Sequence, residues 1–209
     1  MKDLLKNKGV KYLFFKKSCP DYLLIKMLET AKKEKDSDFK YYLEETILSL
    51  IKLKNIKPII LEKLYNYIDK DLTFFSIKGS MTETSILKNF ASNPNTPKKI
   101  LTKLYKLNSK AVKYALSNNP NLPIELIEKL SKDDWICRSN IAINKKTPIE
   151  ILRRLKDDKS EEVKIMLALN PNTPKDVLIE LSKSKNKAII EALLLNPNTP
   201  KEVKLVINL

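Results

Sequence analysis

The chain has 209 residues, 43% of them hydrophobic, which suits one globular domain or one continuous array and excludes the disordered class. Its 40 basic and 25 acidic residues leave a net charge of +15, but only three of the basic residues are Arg (Arg138, Arg153, Arg154), against the Arg-rich surfaces used for bidentate phosphate and base recognition. The sequence has no His, two Gly (Gly9, Gly79) and two distant Cys (Cys19, Cys137). That excludes His-dependent catalysis and metal ligation, glycine-rich phosphate loops and Cys-based metal or disulfide frameworks.

The chain is also rich in Asn and Ile and poor in Ala and Gly, the pattern of an A+T-rich coding sequence, which supplies Lys without any functional demand. The N-terminus carries Lys2, Asp3 and Lys6, and apolar stretches such as Tyr12 to Phe15 are too short for a signal-peptide core or a membrane span. A cytoplasmic protein with no membrane partner is expected.

From the N-terminus, Ser18-Cys19-Pro20 precedes Leu23, Leu24 and Met27, and Pro58 precedes Leu61 and Tyr65. Both are faint helix starts, so residues 1–84 read as degenerate helical units. An inserted loop is expected near 66–84, around Lys78-Gly79-Ser80, where the register is broken.

From residue 85 the pattern sharpens. A turn recurs as Asn93-Pro94-Asn95-Thr96-Pro97, Asn119-Pro120-Asn121-Leu122-Pro123, Asn144-Lys145-Lys146-Thr147-Pro148, Asn170-Pro171-Asn172-Thr173-Pro174 and Asn196-Pro197-Asn198-Thr199-Pro200, at spacings of 26, 25, 26 and 26. Such a period marks stacked units that bury apolar faces only against neighbours. The first Asn is expected to end one helix in the left-handed conformation. The Thr is expected to cap the next, with Pro at its first position. Thr147 with Glu150 and Thr199 with Glu202 read as capping boxes.

Apolar residues follow each turn Pro at helical spacing, as in Ile151, Leu152 and Leu155, and precede each Asn by seven and three positions, as in Val163 and Leu167. Residues 85–209 therefore read as paired short helices joined by polar linkers such as Lys156-Asp157-Asp158-Lys159, ending in a half-repeat cap. Cys137 takes a core slot filled elsewhere by Ile86, Val112, Val163 and Ile189, as a small hydrophobe.

The string from Val163 to Leu178, with its basic residue, small apolar run, Asn-Pro-Asn-Thr-Pro turn and acidic helix start, resembles the leucine-rich-repeat-variant family over residues 85–209. The resemblance implies an all-α fold, a right-handed α-solenoid of paired short helices akin to HEAT repeats, with one helix of the tighter 3₁₀ kind. The iron–sulfur cluster attached to a founding member needs a cysteine set that Cys19 alone does not supply, so no cofactor is expected.

The sharpest site candidate is a cationic column. Lys113, Arg138 and Lys164 stand six positions before their turn Asn, and stacking in register lines them along one groove. Small residues four positions on, Ser117, Ala142 and Ala168, leave room beside them for a ligand. The favoured reading instead pairs these cations with the linker acids Asp133, Asp134, Asp157 and Asp158 in a ladder between units.

Trp135, beside two acids and near Arg138, is similar in residue type to the pocket of alkylpurine DNA glycosylases built from HEAT-like repeats. The plainer expectation is that it covers a seam between units. The expected function is a non-enzymatic binding or scaffold module that recognises a macromolecule, protein first, on a concave face, with no catalytic, cofactor-binding or metal residues. The alternative is a nucleic-acid binder or glycosylase-type enzyme using Lys113, Arg138, Lys164 and Trp135. Assembly state is left open.

Overall fold

A five-residue turn that stops one helix and starts another must satisfy the backbone groups both helices leave over. In the structure, a computed structural model describing residues 46–70 and 81–207, every regular element is an α-helix. It divides into two compact units, residues 1–112 and 113–209.

In the first unit, helical residues 46–51 precede α1 (Pro58–Lys70), α2 (Met81–Ser92) and α3 (Lys98–Lys106). Residues 66–70 and 81–84 of the expected loop are helical, and 71–80 lie outside the described residues, as does the helix start at Cys19. A turn the sequence hid lies at Leu53-Lys54-Asn55-Ile56-Lys57. Its bonds, Ile56 N–H to Leu53 O and Ile60 N–H to Lys57 O, match those of Thr96 to Asn93 and Ile100 to Pro97. Asn93 donates Nδ2 to Leu53 O at 3.0 Å and also to Ile51 O, across about 40 residues, so the register resumes beyond the extra segment. Tyr65 and Phe90 meet edge to face at 5.4 Å between ring centroids.

The second unit begins within α4 (Lys110–Ser117) and continues through α5 (Ile124–Leu130), α6 (Trp135–Ile143), α7 (Ile149–Leu155), α8 (Glu161–Leu169), α9 (Lys175–Leu181), α10 (Lys187–Leu195) and α11 (Lys201–Ile207). Helix α8 packs between α6 and α10 and also meets α7 and α9. No 3₁₀ helix occurs among the described residues. The tighter i→i+3 bonds are confined to helix ends and turns, such as Leu126 N–H to Pro123 O at 2.9 Å and Asn170 N–H to Leu167 O at 3.2 Å.

The core slots are filled as the periodicity requires. Val163, Leu167, Val177 and Leu178 are buried, and so are their counterparts in the other units, Cys137 included. In α11 the pattern weakens: Val203 and Ile207 are only half-buried, and Leu205 and Val206 are 71% and 70% exposed.

The turn works differently from the capping expected of it. Asn144, Asn170 and Asn196 are extended, with φ near −70° and ψ near 120°, and the only non-glycine residue with positive φ among the described residues is Asn108. The carbonyl of Pro97, Pro123, Pro148 or Pro174 accepts the first bond of the following helix, which makes Pro itself the cap residue, with no side-chain cap bond.

The Thr hydroxyl points backward. Thr96, Thr147 and Thr173 each donate at 2.6 Å to the carbonyl six residues earlier, at Phe90, Ile141 and Leu167. Thr147 and Thr199 therefore form no capping box, and Thr199 Oγ1 is buried without a partner. The physical reason is burial: a hydroxyl inside the stack satisfies a helix-end carbonyl, while Pro already fixes the start of the next helix. Leu122 fills the same buried slot as a plain hydrophobe.

The Asn side chain is the element that repeats. Its Oδ1 accepts the amide two residues on, as in Asn170 from Asn172 N at 2.9 Å. Its Nδ2 donates to the preceding turn: Asn170 to Ala142 O at 2.6 Å and Asn144 O at 3.2 Å, Asn196 to Ala168 O at 2.6 Å and Asn170 O at 2.9 Å. Buried backbone acceptors are thus satisfied from the next unit.

Candidate functional site

An exposed row of cations attracts anions, whereas cations paired with acids mainly hold their own neighbourhood together. Lys113, Arg138 and Lys164 do occupy equivalent positions on α4, α6 and α8, and each is paired. Lys113 Nζ lies 2.9 Å from Asp133 Oδ2. Arg138 grips Asp158 through Nε at 2.6 Å and Nη2 at 2.9 Å, and its Nη1 donates to Asp133 O at 2.7 Å. Lys164 Nζ lies 2.9 Å from Glu161 Oε1, whose other oxygen accepts from Asn186.

The arrangement is a chain of alternating charges down the linker edge. Asp133 is held below the ordinary carboxylate range, first by the Lys113 hydrogen bond. Burial pushes Asp158 upward, but Arg138 and the Ser160 amide outweigh it and hold it below that range. The same contacts raise the already high Arg138 guanidinium, Asp158 foremost.

The small residues are taken up by packing between units. Ser117, Ala142 and Ala168 are fully buried, and the carbonyls of Ala142 and Ala168 receive the Asn170 and Asn196 side chains. A larger side chain there would block that approach. Leu194 stands at the same position in α10, where no later turn Asn among the described residues reaches its carbonyl and Lys204 Nζ bonds it at 2.9 Å.

Trp135, the first residue of α6, is 49% exposed. Its neighbour Asp134 caps α6, accepting from Ile136 N at 3.0 Å and Cys137 N at 3.2 Å, and also accepts from the Tyr114 hydroxyl.

Asp133, Asp134 and Cys137 place one ligand-type atom each within 4.8 Å of one another. The chemistry does not suit a cation. Both carboxylates are already engaged, and burial, with lesser help from the nearby acids, pushes the Cys137 thiol up to about 11, so it stays protonated at neutral pH.

Two clefts remain. One, of about 380 Å³, is lined by the cations Arg138, Arg154 and Lys159 and the acids Asp157 and Asp158. Arg154 there reaches back to Ser131 at 2.5 Å and Glu128 at 3.1 Å. The other, of about 520 Å³, lies on the turn edge between α4 and α6, walled by Pro120 and Ile143, with Asn118 and Asn140 amides and Lys145 and Lys146 at its rim; no acid lines it. Sequence reasoning missed this second cleft, although a signal was present: 144–148 is the only turn of the five with Lys-Lys in place of Pro-Asn.

No helix among the described residues is long and apolar enough to cross a membrane. Compared with protein-family models, curated proteins and solved structures, the chain matches none. The class defined here is an all-helical protein whose second unit joins successive helix pairs through a recurrent Asn turn.

Proposed function

We propose that the chain is a non-enzymatic binding module, a right-handed α-solenoid of the leucine-rich-repeat-variant kind, that holds another protein along an extended concave face. The stacking of α6, α8 and α10 in the second unit supports the solenoid. The observation that carries the partner class is the recurrence of exposed apolar residues at one register position, Ile124 and Ile149, each directly after its turn Pro, while the aligned cations are spent on internal pairs. Together with Trp135 they supply large apolar side chains of the kind that anchor protein interfaces. Nucleic-acid binding or base handling drew on Lys113, Arg138 and Lys164 as a free groove, and their pairing removes that support.

Co-purification with the full chain tests this reading. A partner protein should be recovered after nuclease treatment and lost with the Ile124→Ser/Ile149→Ser variant. Recovery that nuclease abolishes, or a mobility shift with duplex or single-stranded nucleic acid that weakens with salt, would overturn it.

A further inference from the structure

A site in a repetitive scaffold is best sought where the repetition fails, because residues common to all units are accounted for by folding. The turn at 144–148 keeps the structural residues and changes only the two that face outward. Asn144 still donates Nδ2 to Asn119 O at 3.0 Å and accepts from Lys146 N at 2.9 Å, and Thr147 still bonds Ile141 O. Its backbone, φ −69° and ψ 121° at Asn144, matches φ −71° and ψ 120° at Asn170, so nothing in the fold demands Lys-Lys.

The two lysines differ in what holds them. Lys146 Nζ bonds Asn121 Oδ1 at 2.8 Å, partly standing in for the turn Asn that elsewhere reaches a backbone carbonyl, as Asn172 does to Lys145 O at 2.6 Å. Lys145 is exposed, and among the described residues its ammonium has no hydrogen-bond or ion-pair partner. Beside it Asn140 Nδ2 donates to Ser117 Oγ at 2.9 Å, which leaves Oδ1 uncommitted, and the Asn118 side chain is exposed.

We propose that this cleft is a docking site for an acidic, partly apolar segment of a partner protein, a proposal that rests on the protein-binding reading above. An aspartate or glutamate of the segment meets Lys145, an apolar side chain packs on Pro120 and Ile143, and the amides of Asn118 and Asn140 bond its main chain. Charge complementarity selects the occupant: the cleft carries two cations and no acid, whereas in the neighbouring cleft two aspartates offset the cations and Arg138 is already bonded to Asp158. A nucleic-acid strand fits less well, since no aromatic residue lines the cleft for base stacking.

The test titrates the full chain with three labelled probes: an alternating glutamate–leucine peptide, the matching lysine–leucine peptide and single-stranded DNA. Each is measured against the wild type and the K145P/K146N variant, which rewrites the turn as the Pro-Asn of its neighbours and preserves the fold. The acidic peptide should bind, weaken with salt, and bind roughly tenfold less tightly to the variant, the scale of losing two surface charge contacts. Absence of acidic-peptide binding, or equal affinity for both proteins, overturns the proposal. If the lysine–leucine peptide alone binds, the cleft assignment fails while the protein-binding reading stands. DNA binding that the variant loses sinks both.

Discussion

Successive units in residues 113–207 are joined along two edges built on different physics. At the turn edge the joint is uncharged and buried each time: the Asn170 and Asn196 side chains each reach one carbonyl of an earlier helix, α6 or α8, and one of the turn after it, and the Asn144 side chain reaches Asn119 O. At the linker edge it is polar, partly exposed and different each time: Lys113 pairs with Asp133, Arg138 with Asp158, and Glu161, itself paired with Lys164 of the same helix, accepts from Asn186. A buried amide must satisfy fixed carbonyls, which few side chains can do, whereas a solvated charge accepts many partners at similar free energy. Invariance in this chain therefore tracks burial of hydrogen bonds, and the linker edge is free to vary.

The contrast predicts unequal costs for breaking each edge. Asn170→Asp, which sets a carboxylate against two buried carbonyls, should destabilise the protein by about 4 kcal/mol in urea unfolding. A cost under about 1 kcal/mol would mean the turn edge does not join the units. Leu167→Ala and Leu155→Ala empty buried slots between the edges and should each cost roughly 2 to 5 kcal/mol.

At the linker edge, Arg138→Gln strands the Asp158 carboxylate, whose side chain is only 7% exposed, and should cost about 2 kcal/mol. The pH dependence has a defined sign. Asp133 and Asp158 are lowered in the folded state, so their contribution is complete above the ordinary value of 3.8 and is lost as pH falls through their lowered values. Acid unfolding curves should therefore be shallower in Asp158→Asn, and an unchanged curve would contradict the pairing.

Smaller effects separate the two edges further. Thr173→Val keeps the buried shape but deletes the bond to Leu167 O, and should cost about 1 kcal/mol. Lys164→Met removes one i,i+3 pair with the half-exposed Glu161 and should cost only about 0.3 kcal/mol. Were Lys164→Met to cost as much as Thr173→Val, the ranking of buried neutral over exposed ionic joints would fail.

The alternation of Val163, Leu167, Val177 and Leu178 around an Asn-Pro-Asn-Thr-Pro string made the helices, their register and the core slots legible before any coordinates. Local rules misjudged the turn. Asn and Thr were assigned to a left-handed stop and an N-cap because those are their commonest roles at helix ends, while here both side chains serve carbonyls of the stack. The turn at 53–57 was invisible because Leu, Lys and Ile stand where Asn, Pro and Thr stand elsewhere, yet it receives the Asn93 side chain in the same manner. Of the site, the register places Lys113, Arg138 and Lys164, and the linker acids it offers include Asp133 and Asp158, which pair with the first two; which acid each cation takes, and that Lys164 takes Glu161 of its own helix, depends on where the next linker passes.

The sequence by itself determined where helices begin and end and which residues are interior, because periodicity and proline act within a single unit. Only the tertiary structure decided what the polar residues do. An amide, hydroxyl or ammonium takes its role from the acceptor brought within about 3 Å of it, and here those acceptors belong to the neighbouring unit or the preceding helix. The Asn turn therefore acts as the joint between units, and at Lys145–Lys146 the same joint is kept while the two outward residues change.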